Sequence, residues 1–284
     1  MGDVLTGFHT VWEFDTDSVL IRFERGIRTP KLLQVLGERR VPYEALAAVE
    51  QAPGRHGTVV LRAVPRPGAD PLMDVADGRL KEGNDPYRLV LPAEREPLAA
   101  YYAAETRSAL GPAAGEPAER HLVAAPAPPL SFKAYDGKAS FDGSAVHFRW
   151  FWTGASSTKW KAGDQRFPVA ALAGVRWRSP GSPEGGHLRL VPRGDADRPP
   201  AEPDQDLASV VFGRGYGLVH ESLPFAAAVL AAVRAATPTP SASPARPDPG
   251  GIADRIRHLG ALHEAGLLTD DEFTSKKAEL LAEL

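Results

Sequence analysis

Apolar and polar positions alternate along the early chain. Val11, Glu13 and Asp15 interleave with Trp12 and Phe14, and Val19, Ile21 and Phe23 with Leu20, Arg22 and Glu24. A period of two sends successive side chains to opposite faces, which predicts two strands. Further strands are predicted over residues 40–43, 47–51, 58–64 and 87–91, each bounded by Gly, Pro or Asp. Two alanine-rich segments, 97–110 and 224–236, open with proline, which suits the first turn of a helix. From Ile252 the period becomes helical. Ile252, Ile256, Leu259 and Leu262 make one stripe, Gly266 stops it, and Thr269-Asp270-Asp271-Glu272 supplies a capping box for a second helix carrying Phe273, Lys277, Leu280, Leu281 and Leu284.

The pattern repeats. At an offset of 127 residues, Phe14-Asp15 falls on Phe141-Asp142, Val19 on Val146 and Arg22 on Arg149. Val64-Pro65-Arg66 falls on Val191-Pro192-Arg193, Ala69-Asp70 on Ala196-Asp197, and Pro97, Ala99, Ala100 and Arg107 on Pro224, Ala226, Ala227 and Arg234. After a shift of one, residues 40–49 match 166–175 at six of ten positions. One offset held over a domain length means a duplicated domain and not a short solenoid repeat.

Five regions follow: copy one at 1–110, a linker at 111–130, copy two at 131–236, a Pro/Ser-rich linker at 237–251 and a helical hairpin at 252–284. Pro, Ala and Gly make the first linker a semi-rigid or partly disordered spacer, and the second is denser in Pro and Ser. Several antiparallel strands plus one closing helix per copy is an α+β plan.

That plan, with Pro-x-x-x-Leu-x-x-Val entering a strand in mid-domain, resembles a pleckstrin-homology-like β-barrel or sandwich closed by a C-terminal helix. Gly7-Phe8-His9, Trp12-Glu13-Phe14-Asp15, Arg28-Thr29-Pro30 and Ala69-Asp70-Pro71-Leu72 resemble a tandem domain-of-unknown-function family common in actinobacteria, and the resemblance covers both copies. Copy two replaces Arg-Thr-Pro with Trp152-Thr153-Gly154-Ala155. Residues 259–281 resemble the short C-terminal (SHOCT) domain. So small a hairpin has little core of its own, which implies self-association through Ile256, Leu259, Leu262, Leu267, Phe273, Leu280 and Leu281.

Composition narrows the chemistry. The 284 residues contain no cysteine, which removes disulfides, thiolate nucleophiles and cysteine-ligated metal and suits a reducing compartment. Met1-Gly2-Asp3-Val4 shows no basic segment followed by an apolar one, so no secretory signal is expected and a cytoplasmic protein is. The apolar run 225–233 falls short of a membrane span, and no transmembrane segment is expected. A net charge of −3 and a pI near 6.3 argue against nucleic acid as a general partner.

The eight histidines show no metal-ligand spacing, and His258 and His263 fall on different faces of one helix. His220-Glu221-Ser222 has no ordered nucleophile, and residues 212–217, rich in glycine, read as a turn. Asp15 and Asp142 read as turn formers. Residues 131–193 hold ten Lys and Arg against four Asp and Glu. There Arg149, Lys159, Trp160, Lys161 and Arg166 form a candidate patch for lipid headgroups or nucleic acid, while alternation is expected to turn Trp150 and Trp152 into the core. The expected function is a non-enzymatic scaffold without cofactor or metal, binding a protein partner, self-associating through its tail, and compatible with peripheral membrane contact.

Overall fold

The computed structural model describes residues 3–183, 185–194, 201–237 and 273–274. Residues 1–237 form one compact unit and residues 238–284 a second. The first runs β1 (Asp3–Thr6), β2 (Thr10–Phe14), β3 (Ser18–Phe23), α1 (Lys31–Leu36), β4 (Glu38–Pro42), β5 (Leu46–Pro53), β6 (Thr58–Pro65), α2 (Pro71–Ala76), β7 (Arg88–Pro92) and α3 (Glu96–Ser108). It continues as β8 (Leu130–Lys133), β9 (Gly137–Phe141), β10 (Ala145–Trp150), α4 (Ser157–Ala162), β11 (Gln165–Pro168), β12 (Leu172–Arg178), β13 (His187–Pro192), β14 (Ser209–Val211) and α5 (Val219–Ala236). Each copy thus makes a four-stranded antiparallel meander and then a three-stranded one. The strands expected from alternation are present, and β1, α1, α2 and α4 are additions to them.

The run matched at six of ten positions is the corner between the two sheets. Pro42 and Pro168 end one strand, a single 3-10 turn follows, and β5 or β12 begins in the next sheet. Both copies then shift register at the same place, between Leu46 and Ala48 and between Leu172 and Gly174. A bulge adds the local twist that re-aims a strand entering a second sheet. The duplicated Ala69-Asp70 also has a local cause in copy one. Asp70 caps α2 by accepting from the Leu72 N–H at 2.9 Å, Pro71 occupies the first turn, and the same carboxylate takes Arg39 Nη2 and the Tyr87 hydroxyl, each at 2.7 Å. Its counterpart Ala196-Asp197 lies outside the described residues.

The expected barrel does not close: among the described residues there are four separate antiparallel sheets. Opposite the corner, the two sheets of a copy are tied by isolated bonds in place of a ladder. In copy one the Phe8 N–H donates to the Val90 carbonyl at 2.8 Å, and in copy two the Tyr135 N–H donates to the Val211 carbonyl at 2.9 Å. A helix covers the remainder, α3 lying across β5, β6 and β7, and α5 across β12 and β8.

The copies pack on each other, and they use their last helices differently. Buried side chains of copy two form one cluster with Leu32 of α1 and Leu72, Val75 and Ala76 of α2 from copy one, because α5 packs against both of those helices. Arg234 fastens the contact, donating to the carbonyls of Gly68, Ala118 and Glu119 at 2.9, 2.9 and 3.0 Å. Helix α5 starts at Val219 and carries Pro224 inside it, not at its first position as the sequence suggested, because the turn before Pro224 is packed against the core through Ser222 and Leu223. Its length and composition alone would suit a membrane span, but half of that stretch is buried inside this fold. The first linker is a docked strap and not a loose spacer. The Ala118 N–H donates to the Pro67 carbonyl at 2.7 Å, the Leu122 and Val123 N–H groups donate to the Ala69 carbonyl at 2.8 and 3.0 Å, and Ala118 and Val123 are buried in the core of copy one. Its Pro, Ala and Gly content suggests a spacer, and the backbone bonds with the two buried side chains decide otherwise.

In the C-terminal unit Phe273 and Thr274 are helical, Phe273 half-buried. Ile256, Leu259, Leu262, Leu267, Leu280, Leu281, His258 and His263 lie outside the described residues.

All five tryptophans belong to residues 12–177, so their fluorescence reports the first unit alone. Urea unfolding followed this way should show both copies melting together, and Leu72→Ala should lower stability by about 2–5 kcal/mol by emptying a site in the shared cluster. Two separated transitions, only the earlier one moved by the substitution, would contradict a shared core.

Candidate functional site

The outer face of the four-stranded sheet in copy two is built by register. Along β10, Val146, Phe148 and Trp150 are buried, and Arg149 points out beside the half-buried His147. Lys133 on β8 pairs opposite Lys138 on β9, which pairs opposite Arg149 on β10. The adjacent row is Ser131, Ser140, His147 and Arg166. Side chains opposite one another on a sheet face stand about 5 Å apart, where like charges are unfavourable. Yet among the described residues none of Lys133, Lys138, Arg149 and Arg166 is ion-paired.

Copy one shows what this face does when it is neutralised. The equivalent of Arg149 is Arg22, which is ion-paired with Glu13 and has Glu38 at 3.6 Å. The equivalent of Arg166 is Arg40, 2.6 Å from Asp15. In copy two Ser140 replaces Glu13, and Lys138 and Lys133 replace Val11 and Thr6. Over matching stretches, residues 4–66 hold nine Lys and Arg against seven Asp and Glu, while residues 131–193 hold ten against four. Of the balancing carboxylates only Glu13 was lost: Asp142 stands where Asp15 does, but it bonds Ser144 and Ala145 and lies 3.4 Å from His147, leaving Arg166 without it.

The structure divides the sequence-predicted patch. Arg149 and Arg166 lie on this face, and Lys161 and Trp160 are exposed on α4. Lys159 does not belong to the patch. It is fully buried, with Nζ donating to Asp136 Oδ2 at 2.6 Å and to the carbonyls of Pro203 and Ser209 at 2.7 and 2.8 Å, and it sits 4.9 Å from the Trp150 ring centre. All three ammonium protons are thereby used. The Ser156 hydroxyl accepts from the Lys159 N–H in the first turn of α4, and this turn carries the lysine inward. Burial raises the Asp136 pKa, an effect that the adjacent Lys159 and the Val211 N–H only partly oppose. Trp150 is buried as alternation requires, but Trp152 is 76% exposed, because β10 ends at Trp150 and the alternation ends with it. Lys133 and Lys138 escaped the sequence reading because only register reveals that they share a row with Arg149.

The remaining candidates have structural roles. Asp142 accepts from the Ser144 and Ala145 N–H groups at 2.7 and 2.8 Å, which holds its carboxyl well below the usual range and closes the β9–β10 turn. Asp15 accepts at its carbonyl from Tyr43 and closes the equivalent turn through its N–H. The glycine-rich segment forms a tight turn, with a bridge between Gly213 and Tyr216. His220 and Glu221 lie in the first turn of α5. Among the described residues no cluster of three His, Asp or Glu could hold a metal ion. A cleft of about 710 Å³ lies between α2 and the β12–β13 sheet, lined by Asp77, Arg79, Arg176, Trp177, His187 and Arg189 among others. Of its cations, Arg79 pairs with Asp77 and Arg189 with Asp206. Burial, reinforced by Arg178 and Arg189, lowers the His187 pKa and keeps its imidazole neutral at pH 7.

Substitutions should separate the two kinds of cation. Lys159→Ala leaves Asp136 buried without its partner and should cost about 3–5 kcal/mol in urea denaturation, whereas Arg149→Ala or Arg166→Ala should stay within about 0.5 kcal/mol. Equal losses at all three positions would refute the division. No curated protein matches the chain. The family model described as Domain of unknown function (DUF4429) matches residues 12–107 and 139–230, one match to each copy, and the Short C-terminal domain matches residues 254–281. The chain therefore belongs to the DUF4429 family, with two tandem domains of that family followed by a short C-terminal domain.

Proposed function

We propose that this is a non-enzymatic cytoplasmic adaptor whose second DUF4429 domain binds an anionic partner through its outer sheet face. The short C-terminal domain self-associates, so that weak individual sites act together. The observation that carries the reading is the difference between the copies: Arg22 and Arg40 are ion-paired in one, while in the other Arg149 and Arg166 are not, and Arg149 shares its row with Lys138 and Lys133. Four cations without an ion pair among the described residues, on an exposed sheet face, suit attraction to a charged surface more than chemistry in an enclosed pocket. A four-stranded meander, a three-stranded meander and a closing helix in each copy also support a pleckstrin-homology-like module, a plan suited to presenting a sheet and its loops to a partner. No cofactor is proposed.

Titration of the chain with inorganic polyphosphate at stepped NaCl should show affinity falling with salt. Changing Lys133, Lys138 and Arg149 together to Ala should flatten the log–log slope by about one unit per cation removed. Arg22→Ala, at the neutralised position of copy one, should change little. Salt-independent or absent binding would reject the reading. Separately, removal of residues 251–284 should lower the mass measured by light scattering, and an unchanged mass would exclude self-association through the tail.

A further inference from the structure

The basic row ends at a rim where three loops of copy two converge. The β8–β9 turn carries Tyr135, the loop from β10 to α4 carries Trp152, and the loop from β14 to α5 carries Arg214 and Tyr216. The Phe151 N–H donates to the Asp136 carbonyl at 2.9 Å, and the Gly217 N–H to the Lys133 carbonyl at 2.8 Å. Tyr135 and Tyr216 meet edge to face at 6.4 Å. Two glycines permit this approach: a Cβ on Gly154 would lie 2.1 Å from the Tyr135 carbonyl oxygen, and one on Gly213 would lie 2.9 Å from the Tyr135 Cβ. The loops are therefore held against each other, yet their aromatic tips stand in solvent, Trp152 at 76%, Tyr135 at 52% and Tyr216 at 42% exposure.

We propose that the anionic partner is the surface of a lipid bilayer, with Trp152, Tyr135 and Tyr216 entering the headgroup layer while Lys133, Lys138, Arg149 and Arg214 face anionic lipid; this rests on the reading of the basic face given above. Indole and phenol rings have an apolar body and a polar edge and settle at a membrane–water interface, and nearby cations add attraction to anionic headgroups. Among the described residues no carboxylate pairs with Lys133, Lys138, Arg149 or Arg214. Of the described carboxylates of this copy, Asp136 points inward to Lys159, Asp206 pairs with Arg189, Asp142 closes the far end of β9, Asp164 precedes β11 without pairing to Arg149, Glu221 lies in α5 beside His220, and Glu202 and Asp204 lie in the segment that bonds Ser156, with the Asp204 carboxylate accepting from Gln205.

Copy one separates a bilayer from nucleic acid. At the same two loops it exposes Phe8, 49% accessible, and Ile27, fully exposed. An isoleucine side chain cannot stack on a base, whereas it can enter lipid. Apolar loop tips thus recur where the basic row does not.

The test uses the full chain and vesicles of phosphatidylserine with phosphatidylcholine, against phosphatidylcholine alone, by co-sedimentation and by quenching of tryptophan emission with brominated lipid. Binding is expected to anionic vesicles only. Lys138→Ala should weaken it about fivefold. Trp152→Ala should weaken it at least as much and remove most of the quenching, with unchanged circular dichroism because this side chain is exposed. Inorganic polyphosphate and a single-stranded oligonucleotide serve as soluble anions. Salt-sensitive binding to polyphosphate without vesicle binding overturns the bilayer assignment and leaves the adaptor reading standing. Oligonucleotide binding lost in Trp152→Ala, without vesicle binding, overturns it in favour of nucleic acid. Vesicle binding that Trp152→Ala does not alter overturns the role of the rim. Failure of every anion to bind ends both readings.

Discussion

An eighteen-residue helix that is apolar around most of its circumference must be surrounded, and α5 is surrounded by both copies at once. Its own sheets take one side through β12 and β8, and α1 and α2 of the other copy take another. The strap, the grip of Arg234 on its carbonyls and the joint hydrophobic cluster all follow from that burial. Helix α3 occupies the equivalent place in copy one under weaker demand, leaving Leu98 and Tyr101 exposed while Tyr102 stacks on Phe14 at 4.5 Å. The duplication is thus symmetric in its sheets and asymmetric in its last helix.

The same division holds for charge. Around a buried or nearly buried aspartate the copies keep one device: Arg62, itself half-exposed, donates to Asp85 at 3.1 Å and the buried Arg189 to Asp206 at 2.6 Å, and each aspartate also accepts a backbone N–H at the approach to the third strand of its sheet. On the outer face the pairings of Arg22 and Arg40 were not kept for Arg149 and Arg166: Ser140 stands in place of Glu13, and Asp142, in place of Asp15, bonds its own turn. An inward pair that loses one member leaves a charge in a poorly solvated place, whereas an outward pair loses little because water screens both ions. Divergence between the copies therefore concentrated on the surface, where it alters attraction to other molecules without endangering the sheets.

Much of the architecture was legible because it repeats. Alternation located β2 and β3, and the repeat singled out the run from Arg40 to Val49 and Ala69-Asp70, whose parts as corner and helix cap only the fold shows. Short helices such as α1 and α4 were hidden because six residues give too few turns for a stripe to register. Lys159 was misplaced because a lysine next to a tryptophan looks the same in sequence whether its ammonium meets water or Asp136. Trp152 was misplaced because alternation carries no information past the last ladder bond. Lys133 and Lys138 required strand register, which separates neighbours in space from neighbours in sequence. The all-round apolarity of α5 was visible, and it was the one signal that could have shown the copies packed together.

The strap also has a consequence for how the polypeptide is made. Ala118 and Val123 complete the core of copy one soon after that domain leaves the ribosome, but the partner of α1 and α2 is α5, translated more than a hundred residues later. At bacterial-to-eukaryotic elongation rates this is a delay on the order of ten seconds. Throughout it the nascent domain displays Leu32, Leu72 and Val75 without their cover, so biogenesis of this protein includes an interval of chaperone-accessible apolar surface that ends only when the last helix docks.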